Sequence, residues 1–464
     1  MIPHSLLTAC VVLLAGSRWW SIAFGVALAV LESAGAVFAA PIPGGLSTHT
    51  LGNGLQVVLV EEHWHPLAAL EVCYRVGVRN DPYGKQGLAH LLEHLTYRSV
   101  GLPPAEGGTP TERPSRAGAT TSHDTTCYSS KLLRPELDQA LAVEAARMAT
   151  LQISANDLEH EKVIVSKERR QLVEGDTWRN LLEEVDGVAF RLHPYRFPTT
   201  GWPETLAQVS LDDVQRHFAT YYSPANAVLV AVGDFQSQDL LARIEATLGQ
   251  IPVRVLPAPS VSVEPAQEGE RRLLLAPQAA PRLVYAYHVP AFGSQDNAAL
   301  ELLSSLLSGG EDARLPALLY SHQLADAVGI EYSSLNRDPG LFYIKVALAS
   351  RVNFRLTGEA VDDVLWHLRE EGPPPAEFER TKKRLLIDWY LDQSTHTQAA
   401  RLAQYGTLAA LPQAQRYPEE IRAVIATDTQ RVVSAYFAPT NRVVGITGVA
   451  HREEVRRHKE GEAP

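Results

Sequence analysis

Residues 87–95 read Gly87-Leu88-Ala89-His90-Leu91-Leu92-Glu93-His94-Leu95. On a helix, positions i and i+4 lie one turn apart on the same face. His90 and His94 can therefore aim two imidazoles at one small cation, with Glu93 at the edge of that face. Zinc takes nitrogen and oxygen ligands tetrahedrally, and a catalytic site keeps one position open for water. The plain alternative is two histidines that share a helix by chance. The surrounding chain decides between them.

The chain has 464 residues, 45% of them hydrophobic, enough for two or more domains with their own cores. A net charge of −11 with no Lys/Arg cluster argues against a nucleic-acid partner. An acidic surface suits basic peptides, and equally suits plain solubility. Residues 1–39 read as an export leader: Ser17-Arg18-Trp19-Trp20, then the apolar run Ser21 to Leu31, then small residues up to Ala39. This implies an exported, periplasmic protein cleaved after Ala39; the alternative is a leader retained as a membrane anchor. No later stretch has the ~18 uninterrupted apolar residues of a membrane span. Cys73 and Cys127 fall on predicted strands, where an oxidising compartment permits a disulfide and two buried thiols are the alternative.

Leu51-Gly52-Asn53-Gly54-Leu55 reads as a turn into a strand, Gln56 to Val60, and Ala68 to Val78 as the next strand. His63 and His65, around Trp64, suit a polar loop better than a metal. The motif helix is expected from Lys85 to Arg98, followed by a Pro- and Gly-rich loop over Gly101 to Gly118. Ala119 to Leu132 reads as a strand, and Pro135 to Thr150 and Asn156 to Glu174 as helices. The second of these carries Glu161 and Glu168, seven apart and so nearly on one face. A carboxylate from a separate helix would complete a zinc site, although the pair alone also suits the solvated face of a charged helix.

The chain repeats itself. Pro203 to Gly233 lies on Pro418 to Gly448 without a gap, with 11 of 31 positions identical at an offset of 215. The identities include Asp213/Asp428, Tyr221/Tyr436, Pro224/Pro439, Asn226/Asn441 and Gly233/Gly448. Two copies of one domain follow: residues 45–252 with the histidines, and 272–455 without them, joined by a Pro-rich linker at 253–271. Moving His90 by 215 lands among Ser304-Ser305-Leu306-Leu307, so only the first copy can hold the metal.

With these motifs in order, residues 48–450 resemble the pitrilysin/insulinase-type zinc metallopeptidases, especially half-length members such as the mitochondrial processing peptidase. The resemblance rests on Leu51 to Leu55, on the H-x-x-E-H of the helix (the inverted form of H-E-x-x-H), on Ala119 to Tyr128, and on Glu161 with Glu168. It also rests on His193-Pro194-Tyr195 with Gly201-Trp202, and on Tyr222 to Asp234. It implies one Zn2+ per chain on His90, His94 and Glu168, Glu93 as general base, and Glu161 as a supporting carboxylate behind the ligands. The implied fold is α+β: two similar domains, each a mostly antiparallel sheet packed on helices, facing each other around a chamber. A peptide substrate would add as a strand along the edge at Ala119, Thr120 and Thr121. This chain departs from the family in having Gly118 where Asn is usual, and a Pro-rich loop where relatives carry a helix. It also lacks the Arg and Tyr that grip substrate near a Leu-Ala-Tyr stretch; the local match is Leu324-Ala325-Asp326, and Tyr332 and Arg337 take no assignable place in that pair. The expected function is a zinc-dependent endopeptidase acting on unfolded peptides, as the catalytic subunit of a heterodimer with a metal-free paralogue rather than a homodimer. A non-catalytic assembly subunit of the same fold is the alternative.

Overall fold

The computed structural model describes residues 45–99, 117–174, 177–258, 262–275, 281–349 and 353–448. The expected leader, and the expected loop as far as residue 116, lie outside them. The first half runs β1 (Leu46–Thr50), β2 (Gln56–Glu61), β3 (Leu67–Tyr74), α1 (Leu88–Ser99), β4 (Ala117–Thr121), β5 (Thr126–Leu133), α2 (Leu137–Ala149) and α3 (Ala155–Glu174). It continues α4 (Thr177–Ala189), α5 (Pro203–Ala207), α6 (Leu211–Tyr221), β6 (Ala227–Gly233) and α7 (Ser237–Ala246). The second half runs β7 (Arg271–Leu274), β8 (Arg282–Val289), α8 (Asn297–Ser308), α9 (Arg314–Ser321), β9 (Ala325–Glu331) and β10 (Gly340–Leu348). It ends α10 (Phe354–Glu370), α11 (Pro375–Leu391), α12 (Thr395–Thr407), α13 (Leu411–Ala423), α14 (Ala426–Tyr436) and β11 (Arg442–Thr447).

The duplication is a duplication of topology. The first sheet is ordered β1-β2-β6-β3-β5-β4 and the second β7-β11-β8-β10-β9. Without β1, the two match strand for strand: one parallel pair, then three antiparallel pairs. The identities seen in the sequence hold the same local structure twice. Asn226 Nδ2 donates to Tyr221 O at 2.9 Å, and Asn441 Nδ2 to Tyr436 O at 2.8 Å. Each bond folds the chain from the end of a helix through a Pro-led turn into a buried strand. The carboxylates of Asp213 and Asp428 accept from the backbone N–H of Ser210 and Ile425 at the starts of α6 and α14.

In β3, Leu70, Val72 and Tyr74 alternate onto the helix-bearing side and join the main core of the first half. The other face of each sheet is covered by a helix from the opposite half. α12 packs on β3 and β6, while α4 packs on β11, β8 and β7. Leu181, Val185 and Ala189 of α4 form one buried cluster with Val284, Ala286, Leu341 and Val443. Glycines allow the close approach: a Cβ on Gly406 would lie 2.8 Å from Val228, and one on Gly445 would lie 2.5 Å from Val185. From Gly45 onward the two halves are thereby one compact unit. The stretch between them is tied down at Glu264, whose carboxylate accepts the backbone N–H groups of Arg191, Leu192 and His193.

Three expected elements differ. The strand expected to reach Val78 stops at Tyr74, and Val78–Asn80 forms a 3-10 turn whose N–H groups bond Ser122 O and His123 O. Ala119 to Leu132 is a hairpin, because Ser122 Oγ accepts the N–H groups of Asp124 and Thr125 and turns the chain there. The motif helix begins at Leu88 rather than Lys85, since Gly87 sits at φ +94°, outside the helical region. Cys73 and Cys127 stand opposite each other in the β3–β5 register and are joined as a disulfide.

Candidate metal centre

α1 divides its residues between two faces. Leu88, Leu91, Leu92 and Leu95 are fully buried in the core, at the i, i+3, i+4, i+7 spacing of an apolar stripe. That packing turns His90, Glu93 and His94 toward α3 and β4, the elements against which α1 rests. The helix is aimed from its start. Asp81 accepts from the N–H of Gly87 at 2.7 Å and of Ala89 at 2.9 Å, occupying donors that a helix N-terminus leaves free. Behind this cap, Gly87 meets Gly201: a Cβ on Gly201 would fall 2.1 Å from Gln86 O, and one on Gly87 2.8 Å from Thr200 O. The Gly201-Trp202 motif is thus a backbone seat for the motif helix.

On α3, Glu161 and Glu168 both face His94. Glu168 Oε2 lies 3.2 Å from His94 Nε2 and 3.9 Å from His90 Nε2. Ligands at ~2.1 Å in tetrahedral array stand about 3.4 Å apart, so these spacings bracket what zinc requires. Glu161 Oε2 lies 3.4 Å from His94 Nδ1, on the far side of the ring, and its other oxygen accepts from Arg98 at 2.7 Å. His90 Nδ1 is buried with no hydrogen-bond partner among the described residues. Burial, then the neighbouring His94, pushes the His90 imidazole down to about 3, so it stays neutral, the form that binds metal. Burial pushes the Glu93 carboxyl up, against the hydrogen bond from Thr121. Two imidazoles and a carboxylate, with Glu93 as a second acid beside them, form a donor set that would suit a catalytic zinc better than a structural one.

A cavity of about 400 Å³ opens beside these groups, lined among others by Glu93, His94, Tyr97, Ala119, Glu161 and Ile164. β4 is the edge strand of its sheet, so its outer backbone groups face no described strand. Ala119 and Thr120 lie along this edge, opposite Tyr128 and Cys127 of β5, and Thr121 turns its hydroxyl to Glu93. His63 is an exposed ion-pair residue between Glu61 and Asp234, away from the centre. In the second half, counting from the start of α8, the positions of His90, Glu93 and His94 fall on Ala299, Leu302 and Leu303, all buried. Tyr332 is tied to α8 through Asn297 Nδ2 at 3.2 Å, and Leu324-Ala325-Asp326 leads into the edge strand β9.

Several contributors were not legible beforehand. Asp81 carries no motif, and Arg98 was detectable only as the next i+4 position after His94. Asp124 gathers Arg79, the Tyr195 hydroxyl at 2.6 Å and the backbone N–H of Arg337 at 3.1 Å. Asp338 in turn pairs with His193 and Arg79. The His193-Pro194-Tyr195 motif is therefore a clasp between a second-half loop and the β4–β5 turn.

A family model described as insulinase (peptidase family M16) matches residues 56–201, and one described as peptidase M16 inactive domain matches residues 208–385. The zinc protease PqqE of Helicobacter pylori is 27% identical over 400 residues, which is 84% of this chain and 90% of that protein. The beta subunit of the mitochondrial-processing peptidase of Lentinula edodes is 22% identical over 359 residues, 72% of this chain and 75% of that one. The crystal structure of a protease from Helicobacter pylori superposes with a TM-score of 0.81 at 25% identity, covering 88% of this chain and all of that one. The match to both models, in order along a twice-repeated fold, makes the chain a member of peptidase family M16, the insulinase family.

Proposed function

We propose that the protein is a zinc-dependent endopeptidase that hydrolyses unfolded peptides. The observation that carries this is the convergence of His90 Nε2, His94 Nε2 and Glu168 Oε2 beside Glu93, at separations that suit one tetrahedral ion. Those three residues would hold the zinc, one per chain. When bound, it would supply an acidified water and a positive charge for the oxyanion of the reacting carbonyl. Glu93 takes a proton from the attacking water and returns it to the leaving amine. Its raised affinity for protons, a result of burial, suits both halves of that task. The outer edge of β4, which pairs with no strand among the described residues, offers backbone donors and acceptors to an extended peptide, a mode that makes little demand on side-chain sequence.

We further read the chain as the catalytic subunit of a heterodimer with a metal-free relative, exported to the periplasm. The heterodimer reading is supported by the missing Arg/Tyr pair ahead of β9, and the location by the apolar leader. The test is cleavage of a quenched-fluorescent peptide library by the zinc-loaded protein, alone and with a co-expressed metal-free relative, with and without chelator. Chelator-sensitive cleavage only in the mixture is the expected result. Cleavage by the chain alone would remove the heterodimer. No cleavage in either, with zinc bound, would favour a non-catalytic subunit.

A further inference from the structure

We infer that Thr121 is the positioning residue of the general base, holding the Glu93 carboxylate from the strand on which the substrate is seated. The inference rests on the reading of Glu93 as that base. Thr121 Oγ1 donates to Glu93 Oε2 at 2.5 Å, the short distance of a charge-assisted hydrogen bond. The proton has one destination. Thr126 Oγ1 is 3.5 Å away and gives its own proton to Val76 O at 2.9 Å, so it can only accept. The much shorter contact to the carboxylate takes the Thr121 hydrogen.

The consequence is geometric. A glutamate has three side-chain torsions, and α1 fixes none of them beyond its Cα. With Oε2 bound to Thr121, the carboxylate is anchored at a second point, and Oε1 is left as the oxygen that exchanges the proton. The anchor itself is held firmly. Thr121 pairs with Thr126 across the hairpin, and Ser122 N–H bonds Thr125 O at 2.8 Å. Arg79, Tyr195 and the backbone of Arg337 hold the turn at Asp124. The aim of the base is thus set by β4 and, through the turn, by the second half of the chain. Because β4 also offers the edge to which the peptide adds, a peptide in register on that strand is in register with Glu93.

The test uses the full chain with Thr121→Val, which keeps volume and β-branching but removes the hydroxyl, and Thr121→Ser, which restores the hydroxyl alone. Zinc content, peptide kinetics and crystal structures are compared with wild type. Expected are one zinc per chain throughout, a kcat lowered about 10- to 100-fold in Thr121→Val with KM within about threefold, and recovery of most of the rate in Thr121→Ser. The Thr121→Val crystal should show Glu93 out of its wild-type rotamer. The inference is overturned if Glu93 keeps that rotamer without the hydroxyl. It is also overturned if Thr121→Val raises KM and spares kcat, which would make Thr121 an edge residue only. If wild type with zinc cleaves nothing, the peptidase reading fails on that arm, and the crystallographic comparison still decides whether Thr121 holds Glu93.

Discussion

At the scale of single residues, the site separates groups that would bind metal from groups that aim them. His90, His94 and Glu168 point one atom each at a common centre, while Glu161 sits behind His94, on its second nitrogen. A carboxylate there fixes the tautomer and raises the basicity of the ligating nitrogen. Replacing Glu93 by Gln should leave zinc content at one per chain and abolish turnover; turnover within a few-fold of wild type would remove Glu93 from its role. Replacing His94 or Glu168 by Ala should lose the metal, as elemental analysis would show. Replacing Glu161 by Gln is expected to weaken zinc about 10- to 100-fold in competition with a chromophoric chelator. An unchanged affinity would mean that Glu161 serves only Arg98. His90, Glu93 and His94 were legible because helical spacing is local. Glu161 and Glu168 needed the family resemblance, since their seven-residue spacing also fits a solvated face. The Thr121–Glu93 bond was illegible, because pairing between strands creates it.

Among the elements, β3 carries a cost that the sequence gives no hint of. Glu71 is only 6% exposed, and its Oε2 has no partner among the described residues. Burial, and then the nearby Glu144, pushes its carboxyl up from 4.5 to about 8. The folded state therefore binds this proton more tightly than the unfolded chain. The stabilisation is whole below about pH 4.5 and is lost as pH rises to about 8. Above pH 8, Glu71→Gln should be more stable than wild type by up to about 5 kcal/mol, with the advantage vanishing below pH 5. Urea unfolding of both proteins across that range measures it, and a difference independent of pH would show that the fold leaves the proton affinity of Glu71 unshifted. Between Leu51 and Glu174 the remaining element types were readable, and the misreadings have separate causes. The turn at Ser122 to Thr125 contains neither Gly nor Pro and is made by the Ser122 hydroxyl, a weak turn signal among threonines that favour strands. Gly87 was read as helix because the contact with Gly201 that its positive φ accompanies lies more than a hundred residues away.

On the scale of the whole molecule, the repeat in the sequence correctly announces two copies of one fold but conceals how they are joined. An amphipathic period shows that α4 and α12 each bury a face; it does not say against which sheet. Each covers the sheet of the other half. If both halves are stabilised by an exchanged helix, neither has a separate unfolding transition. Gly406→Val and Gly445→Val test this in the full chain, because each side chain would wedge the opposite helix–sheet contact: Val228 against α12, and Val185 against β11. Overpacking of this kind costs about 1–3 kcal/mol. Wild type and both variants should unfold in one transition, coincident by circular dichroism and tryptophan fluorescence, and both substitutions should shift that same transition downward. Two transitions, with each glycine variant moving only one of them, would show that the halves fold as independent domains and that the exchange is mere docking. A single shared transition has a consequence for the site. The second half then contributes to the metal centre without supplying a ligand, by holding the first sheet under α12 and the β4–β5 turn at Asp124.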